Sequence, residues 1–372
     1  MRLGMFMMPM HPVGRTMGAY LAEDTEKAIL LDTLGYDELW VGEHYTAHNE
    51  PYPSPMMFMA SLLAHTKKIK FATGTINAPN QHPARIAAEA AQFDHMSGGR
   101  FILGVGTGSL ATDAEVFGVK ADSAQKSRML IEHIEMIERI WAEDPPYDFQ
   151  GEFWNVALKD ARFPEVGVGF MPKPFQRPRP PICVPTSTPN SKTTTLCGQR
   201  GWGPISSALL PGAMLGNHWN NYRQGCIDAG REVDGANWRV VRAVLVAPTD
   251  EEARARAFSA QGSLRYFFNY FFKIFSKAGN LDAVRPRPGV ADADVTVDDI
   301  IESRLIYGSP QTVAMKLAAL RKATGPFGTL LISGMDWSGP NEDWERESLT
   351  LLAREVLPLW RKAIAMDEAA TV

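Results

Sequence analysis

Eight short apolar runs, separated by longer amphipathic or irregular stretches, predict an α/β fold built as a single (β/α)₈ TIM barrel with insertions. Two observations favour the barrel over a doubly wound open sheet. The runs number eight at fairly even spacing, and several end in ionisable, hydroxyl or small residues, as strands do where a barrel builds its site. The sharpest such end is YDELWVGEHY at 36–45, where Leu39, Trp40 and Val41 give way to Gly42, Glu43 and His44.

Taken in order, RLGMFM (2–7) reads as the first strand. One Arg precedes only a short apolar stretch, and Gly4 and Pro9 suit a barrel strand better than the apolar core of a secretory leader. Residues 20–34 read as a helix, with Ala28, Leu31 and Leu34 near one face and Glu23, Asp24, Glu26 and Lys27 near another; Gly35 caps it. Ser54-Pro55 opens an apolar helix to 65. IKFATGTI (69–76) is the third strand, a helix at 82–96 runs to the Gly98-Gly99 turn, and FILGVG (101–106) is the fourth strand. A long helix fits 124–142. Residues 144–180, rich in Pro and Gly, read as an irregular insertion with a hairpin near 151–156. Strands resume at 181–185, 201–206 and 239–247, with helices at 212–229 and from 250. Residues 262–298 form a second irregular stretch, first aromatic (YFFNYFFKIF, 266–275) and then rich in Pro and Asp. The aromatic part is either a packed helix or a lid over the barrel mouth. A helix at 309–323, the strand GTLLIS (328–333) and a helix near 342–365 close the chain.

Composition narrows the function classes. The 372 residues are 45% hydrophobic and 22% charged, with a formal net charge of −4, which is ordinary globular composition. Mild acidity without a run of Lys or Arg argues against a nucleic-acid surface. No window approaches the ~18 uninterrupted apolar residues of a membrane helix. Cys183, Cys197 and Cys226 share no CxxC spacing and read as buried reduced thiols of a cytoplasmic protein, with no metal framework.

Four strand ends carry candidate site residues, and on a barrel all open onto one face. Glu43 and His44 follow the second strand, Thr75 and Asn77 the third, and Gly106, Thr107, Gly108 and Ser109 the fourth. Thr186, Ser187, Thr188, Asn190 and Ser191 follow the fifth. GVGTGS (104–109) is either a tight turn or a place where missing Cβ atoms admit a large planar ligand. It is not a dinucleotide fingerprint, since no acidic residue follows at the required distance, and no P-loop is present. TSTPNSKTTT (186–195) joins a strand to a helix beginning near Asn190. Hydroxyls around such a helix N-terminus suit a phosphate that stays bound; a polar cap without ligand is the plainer alternative. Met8, Trp202, Met335 and Trp337, at strand ends, either pack in the core or wall an apolar substrate pocket.

WVGEHY, NAPNQHPARIAAEAAQFDHMSGGRFILGVGTG and the EVFG at 115–118 resemble the bacterial luciferase-like, flavin-dependent monooxygenases. The likeness runs through essentially the whole chain. It is nearest to the branch that oxidises limonene or performs type II Baeyer–Villiger reactions on bicyclic ketones. The resemblance implies one barrel domain over 1–372 that binds FMN, receives it reduced from a separate flavin reductase, and forms a homodimer. It implies oxidation of an apolar, cyclic ketone or terpene by O₂ through a C4a-peroxyflavin. His44 falls at the family's catalytic histidine, and an imidazole exchanges protons readily near neutral pH. Gly74-Thr75 falls where the family has a non-prolyl cis peptide against the flavin ring, and Asn77, Gly106 and Thr107 belong to the same cofactor-binding set. Thr186, Ser187, Asn190 and Ser191 fall in the flavin-phosphate loop. Thr107 stands where light-emitting members have an arginine, so hydroxyls and helix N–H groups take over phosphate recognition and light emission is not expected. Two alternatives stay open: a deazaflavin-dependent dehydrogenase that transfers hydride without O₂, and a non-catalytic flavin-binding relative. The lack of a recognisable cationic pocket for the deazaflavin tail counts against the first, and the intact His44 against the second.

Overall fold

A computed structural model describes residues 1–8, 10–287 and 289–369. Pro9, read with Gly4 as punctuation of the first strand, lies outside the described residues, as does Pro288 of the second insertion. The barrel strands are β1 (Arg2–Met7), β2 (Glu38–Val41), β3 (Lys70–Thr73), β5 (Phe101–Gly106), β8 (Ile182–Thr186), β9 (Gly203–Ser206), β10 (Arg239–Val246) and β12 (Thr329–Ser333). They neighbour one another in that order, and β12 returns to β1, so eight parallel strands close the barrel. Four short strands are additional. β4 (Ile76–Asn77) pairs with β5, β6 (Tyr147–Gln150) and β7 (Asn155–Leu158) form an antiparallel hairpin, and β11 (Leu305–Gly308) pairs with β10. No described helix is long and apolar enough to cross a membrane.

The chain divides into two compact units, a smaller one of residues 40–47 and 51–184 and a larger one of 1–39, 48–50 and 185 onward. In the smaller unit, Phe71 of β3 pairs with Phe101 of β5, and Phe93 packs edge-on against both rings, at 6.0 and 5.1 Å. Phe93 belongs to the helix Pro83–Met96, which opens on a proline where its missing N–H costs nothing. Gly104 explains the first glycine of GVGTGS. A Cβ there would lie 2.0 Å from Thr73 O, so only glycine lets β3 and β5 approach this closely. The first insertion turns its hairpin at Gly151, whose N–H donates to Trp154 O (3.0 Å).

In the larger unit, β1 runs in register with β12 from Arg2↔Thr329 to Phe6↔Ser333. Arg239 of β10 forks onto Glu38 of β2 with two bonds of 2.8 Å, both side chains being buried. Within the second insertion, read as irregular overall, the aromatic run takes the packed-helix alternative, Ser263–Lys277 being one regular helix. Leu264, Phe267 and Phe268 bury one face against Met10, Leu245, Leu281 and Ile301, and Phe271 and Phe275 extend the stripe. Ten residues with few polar positions hide a 3.6 period, which is why the helix is poorly legible. The helix Val297–Arg304 and β11 were not expected either, and a four-residue strand is too short to show alternation. Gly104→Ala should lower stability by about 1–3 kcal/mol, the usual cost of forcing atoms into a packed site. Gly18→Ala, in a helix with nothing within 4 Å of the new methyl, should raise it by up to ~1 kcal/mol. Urea denaturation of both variants measures the contrast.

Candidate active site

In the smaller unit, β2 ends at Val41 and the chain passes through Gly42 into Glu43 and His44, 2% and 6% exposed. His44 Nδ1 lies 3.0 Å from Asp113 Oδ2. A carboxylate only accepts, so Nδ1 carries the hydrogen and a neutral ring keeps its lone pair on Nε2. The other Asp113 oxygen accepts from the N–H groups of Tyr45 (3.1 Å) and Thr46 (2.9 Å) and from the Thr46 hydroxyl (2.5 Å). Burial works to raise the Asp113 pKa, but the bonds from Thr46 and His44 outweigh it and hold the group ionised, below the usual carboxylate range. Asp113 sits in the short helix Ala111–Val116 and escaped the sequence reading. Its one cue was that a working imidazole needs an orienting acceptor, and nothing in the sequence says which of many carboxylates supplies it.

Glu43 fastens the same turn to the next segment. Its carboxylate accepts from Asn77 N–H (2.7 Å), Gln81 Nε2 (3.1 Å) and the Tyr45 hydroxyl (3.3 Å), while Asn77 Nδ2 donates to Glu43 O (3.1 Å). Burial dominates these bonds and pushes the Glu43 pKa up to about 7. The Gly74–Thr75 peptide is cis, and Gly74 N–H donates to Val41 O (2.6 Å). Gly106 is buried at the end of β5 and Thr107 is half-buried beyond it. His44, Gly74, Thr75, Asn77, Gly106 and Thr107 thus stand at the carboxyl ends of neighbouring strands, with Asn77 already engaged by Glu43.

In the larger unit, Ser191 caps the helix Lys192–Arg200 by accepting from Thr193 N–H (3.2 Å). Ser187 and Asn190 are exposed, and Asn190 Oδ1 accepts from Asn217 Nδ2 (3.0 Å). Thr186 is buried and turns its hydroxyl to Ile205 O (3.2 Å). His218, which the sequence did not single out, holds this loop from the helix Leu215–Asp228. Its Nε2 donates to Thr188 O (2.8 Å), and its Nδ1 accepts from the Ser206 hydroxyl (2.8 Å), which accepts in turn from Trp238 Nε1 (2.8 Å). Burial holds His218 below the usual imidazole range, in the neutral form this relay requires.

Met335 and Trp337 follow β12 and are buried; Met8, after β1, is half-buried. The Trp337 ring lies between Lys27 Nζ and the Arg346 guanidinium, 5.0 and 4.1 Å from its centroid, and its indole N–H donates to Glu345. Lys27 is fully buried, donates to Met335 O (2.5 Å), and pairs with Asp24 (3.3 Å) and Glu23 (3.6 Å). His11 bridges Asp336 (2.7 Å) and Asp24 (3.1 Å). Burial opposes its charge, yet those two bonds raise its pKa. Trp202 is corrected. It precedes β9, at the amino end of the strand, and is 1% exposed, so it packs in the core and walls no site built at carboxyl ends.

A closed parallel barrel with a carboxylate-held histidine at a strand end is the arrangement in which α/β-barrel enzymes build their active sites. The chain belongs to the luciferase-like monooxygenase family, whose model matches residues 1–326. It is 32% identical to the 4-hydroxyprotoasukamycin monooxygenase of Streptomyces nodosus subsp. asukaensis, over 95% of this chain and 91% of that one. Limonene 1,2-monooxygenase of Rhodococcus erythropolis is 30% identical over 95% of this chain and 85% of its own. A solved type II Baeyer–Villiger enzyme, the oxygenating constituent of 3,6-diketocamphane monooxygenase from Pseudomonas putida in complex with FMN, matches with a TM-score of 0.86. It is 27% identical, over 96% of this chain and 98% of that one. The chain is accordingly a flavin-dependent monooxygenase.

The raised pKa of Glu43 has a thermodynamic sign. Its folded value of about 7 lies above the ordinary 4.5, so the folded state holds the proton longer than the unfolded chain does. The stabilisation is complete below pH 4.5 and is lost as pH rises to about 7, a change on the order of 3 kcal/mol. Measured by urea denaturation, wild-type stability should fall over this window relative to Glu43→Gln; parallel profiles for the two proteins would contradict it.

Proposed function

We propose that this chain is the oxygenating component of a two-component system. It takes reduced FMN from a separate flavin reductase and inserts one atom of O₂ into an apolar, cyclic ketone or terpene. The observation that carries this reading is the Asp113–His44 pair at the end of β2, in a chain whose family match spans residues 1–326. Bound reduced FMN supplies the activation of O₂, chemistry beyond any side chain here. On the smaller unit, Gly74 and Gly106 bring no side chain and Thr75, Asn77 and Thr107 bring small polar ones, a set that fits the flat ring. On the larger unit, Ser187, Asn190, Ser191 and the first-turn N–H groups of Lys192–Arg200 form a donor set that fits a phosphate. Thr186 and His218 shape that loop from behind.

His44 works through Nε2. With Nδ1–H held by ionised Asp113, the ring takes a proton at Nε2, shares the resulting charge with the carboxylate, and returns the proton later. On the larger unit, Met8, Met335 and Trp337 offer the substrate apolar surface, which excludes water and suppresses loss of oxygen as H₂O₂.

His44→Ala should bind reduced FMN as the wild type does while oxidation of limonene or a bicyclic ketone falls ~100-fold or more and H₂O₂ released per O₂ rises. Asp113→Asn should show a smaller change of the same kind. Unchanged coupling in His44→Ala would remove the assigned role. His218→Ala should instead weaken FMN binding roughly 10-fold by releasing the Thr188 carbonyl, with coupling preserved at saturating flavin. Titration with reduced FMN under nitrogen, followed by product and peroxide assays in air, measures both.

A further inference from the structure

A cavity of about 340 Å³ in the larger unit shares no lining residue with the flavin or substrate assignments. Leu210, Arg242, Arg304, Tyr307 and Lys316 are among the residues around it. It lies where β10 changes neighbours. Arg239 and Val240 pair with Ile205 and Ser206 of β9, whereas Ala243 through Val246 pair with Leu305 through Gly308 of β11. Arg242 falls in the changeover, and Arg304 immediately precedes β11.

Both guanidiniums are buried, at 4% and 7% exposure. Arg242 Nη1 donates to Val241 O (2.7 Å) and Ser207 O (3.0 Å), and Arg304 Nη2 donates to Arg285 O (2.8 Å). Arg242 Nη2 and Arg304 Nε find no acceptor among the described residues, and neither arginine pairs with a carboxylate there. Lys316 adds a third positive group, its Nζ donating only to Tyr307 O (2.8 Å) among the described residues. Glu302, the one carboxylate among the lining residues, accepts from Arg254 (3.1 Å) and the Tyr307 hydroxyl (3.1 Å). Burial, and then the neighbouring Arg304, push the Arg242 pKa down to about 9. Buried guanidiniums are ordinarily paired, because an isolated buried charge is strongly disfavoured.

We propose that this cavity is an anion site that takes a phosphate group through the guanidiniums of Arg242 and Arg304 and the Lys316 ammonium. Three cationic groups face two carboxylates that are already engaged, Glu302 by Arg254 and Tyr307 and Asp250, near Lys316, by Ser309 and Thr312. This balance suits a dianion, and the arginine fork matches phosphate oxygens. The site accepts free inorganic phosphate or the phosphate of a small metabolite. Its occupant joins β10 to the second insertion, because Arg285, whose carbonyl Arg304 holds, pairs with Asp282 (2.7 Å) and Asp292 (2.5 Å).

The probe is inorganic phosphate titrated against the full-length protein at constant ionic strength, with Tm as the readout. Tm should rise saturably in the wild type and equally in Ser191→Ala, which alters the flavin-phosphate loop and so separates this site from that one. In Arg242→Met and Arg304→Met the apparent phosphate affinity should drop at least ~10-fold. An unchanged response in the arginine variants, or its loss in Ser191→Ala alone, overturns the proposal. If Arg242→Met does not fold, Arg304→Met and Lys316→Met carry the test. Crystals soaked in tungstate add a second one: density against Arg242 Nη2 supports the site, and density only elsewhere refutes it. Glycerol 3-phosphate distinguishes the sources, a tighter response than to phosphate marking a metabolite site and a weaker one marking free phosphate.

Discussion

A charge taken out of water here has to be met by another charge or by several hydrogen bonds, and the strand ends are organised around that requirement. Glu43 is ringed by Asn77, Gln81 and Tyr45; Asp113 by His44, Tyr45 and Thr46; Lys27 by Asp24, Glu23 and Glu345. Each cluster also reaches one other segment (Asn77 and Gln81 to Glu43, Asp113 to residues 44–46, Glu345 to Lys27), so satisfying the charge helps fix where those segments lie. Breaking one such pair strands its partner, at a typical cost of about 3–5 kcal/mol. On the function proposed above, a residue such as Asp113 acts on stability and on proton transfer through the same atoms, and only coupling of oxygen use to product separates the two roles.

Four buried histidines show how surroundings assign different work to one side chain. His44 holds Nδ1 against the Asp113 carboxylate, which orients Nε2 for the proton exchange proposed above. His11 lies between two carboxylates, Asp336 and Asp24, and is held as a structural cation beside the loop that carries Met335 and Trp337. His218 is kept neutral as a relay between the Ser206 hydroxyl and the Thr188 carbonyl. His133 is fully buried with neither ring nitrogen hydrogen-bonded among the described residues, and burial pushes it down to about 3. It packs edge-on against Trp154 as an apolar ring. A sequence shows the imidazole in all four cases and the partner in none.

That contrast explains what was legible. β1 and β5 fall at 2–7 and 101–106, as read, because buried strands of a parallel barrel are continuous apolar runs bounded by glycine or polar residues. His44 was visible as an ionisable residue at the end of such a run. Asp113, 69 positions away, and His218, 30 positions beyond Thr188, act by contacts that no local period encodes. Glu23, Asp24 and Lys27 read as one polar helix face, but all three are buried. Their mutual pairing lets that face turn inward, against the expectation that charge marks solvent. Trp202 failed for another reason: an aromatic beside a strand looks the same at either end, and this one precedes β9 and lies at its amino end.

The pairing rule also gives meaning to a pair of adjacent buried cations that depart from it. Arg242 and Arg304 stand where β10 exchanges one neighbour for another, and a ladder change of this kind leaves a gap that small side chains could have filled. Apolar residues at both positions would have closed it with no charge to satisfy, and replacing buried ions by packed apolar groups is often neutral or stabilising. Keeping two guanidiniums there, side by side, with donors unmatched by the surrounding described residues, is a standing cost. An anion removes that cost and converts the gap into a joint, because the same Arg304 reaches the Arg285 carbonyl at the end of the segment that follows the aromatic helix. The second insertion is then secured at one end by the stripe of Leu264, Phe267 and Phe268 and at the other by a charge supplied from solution.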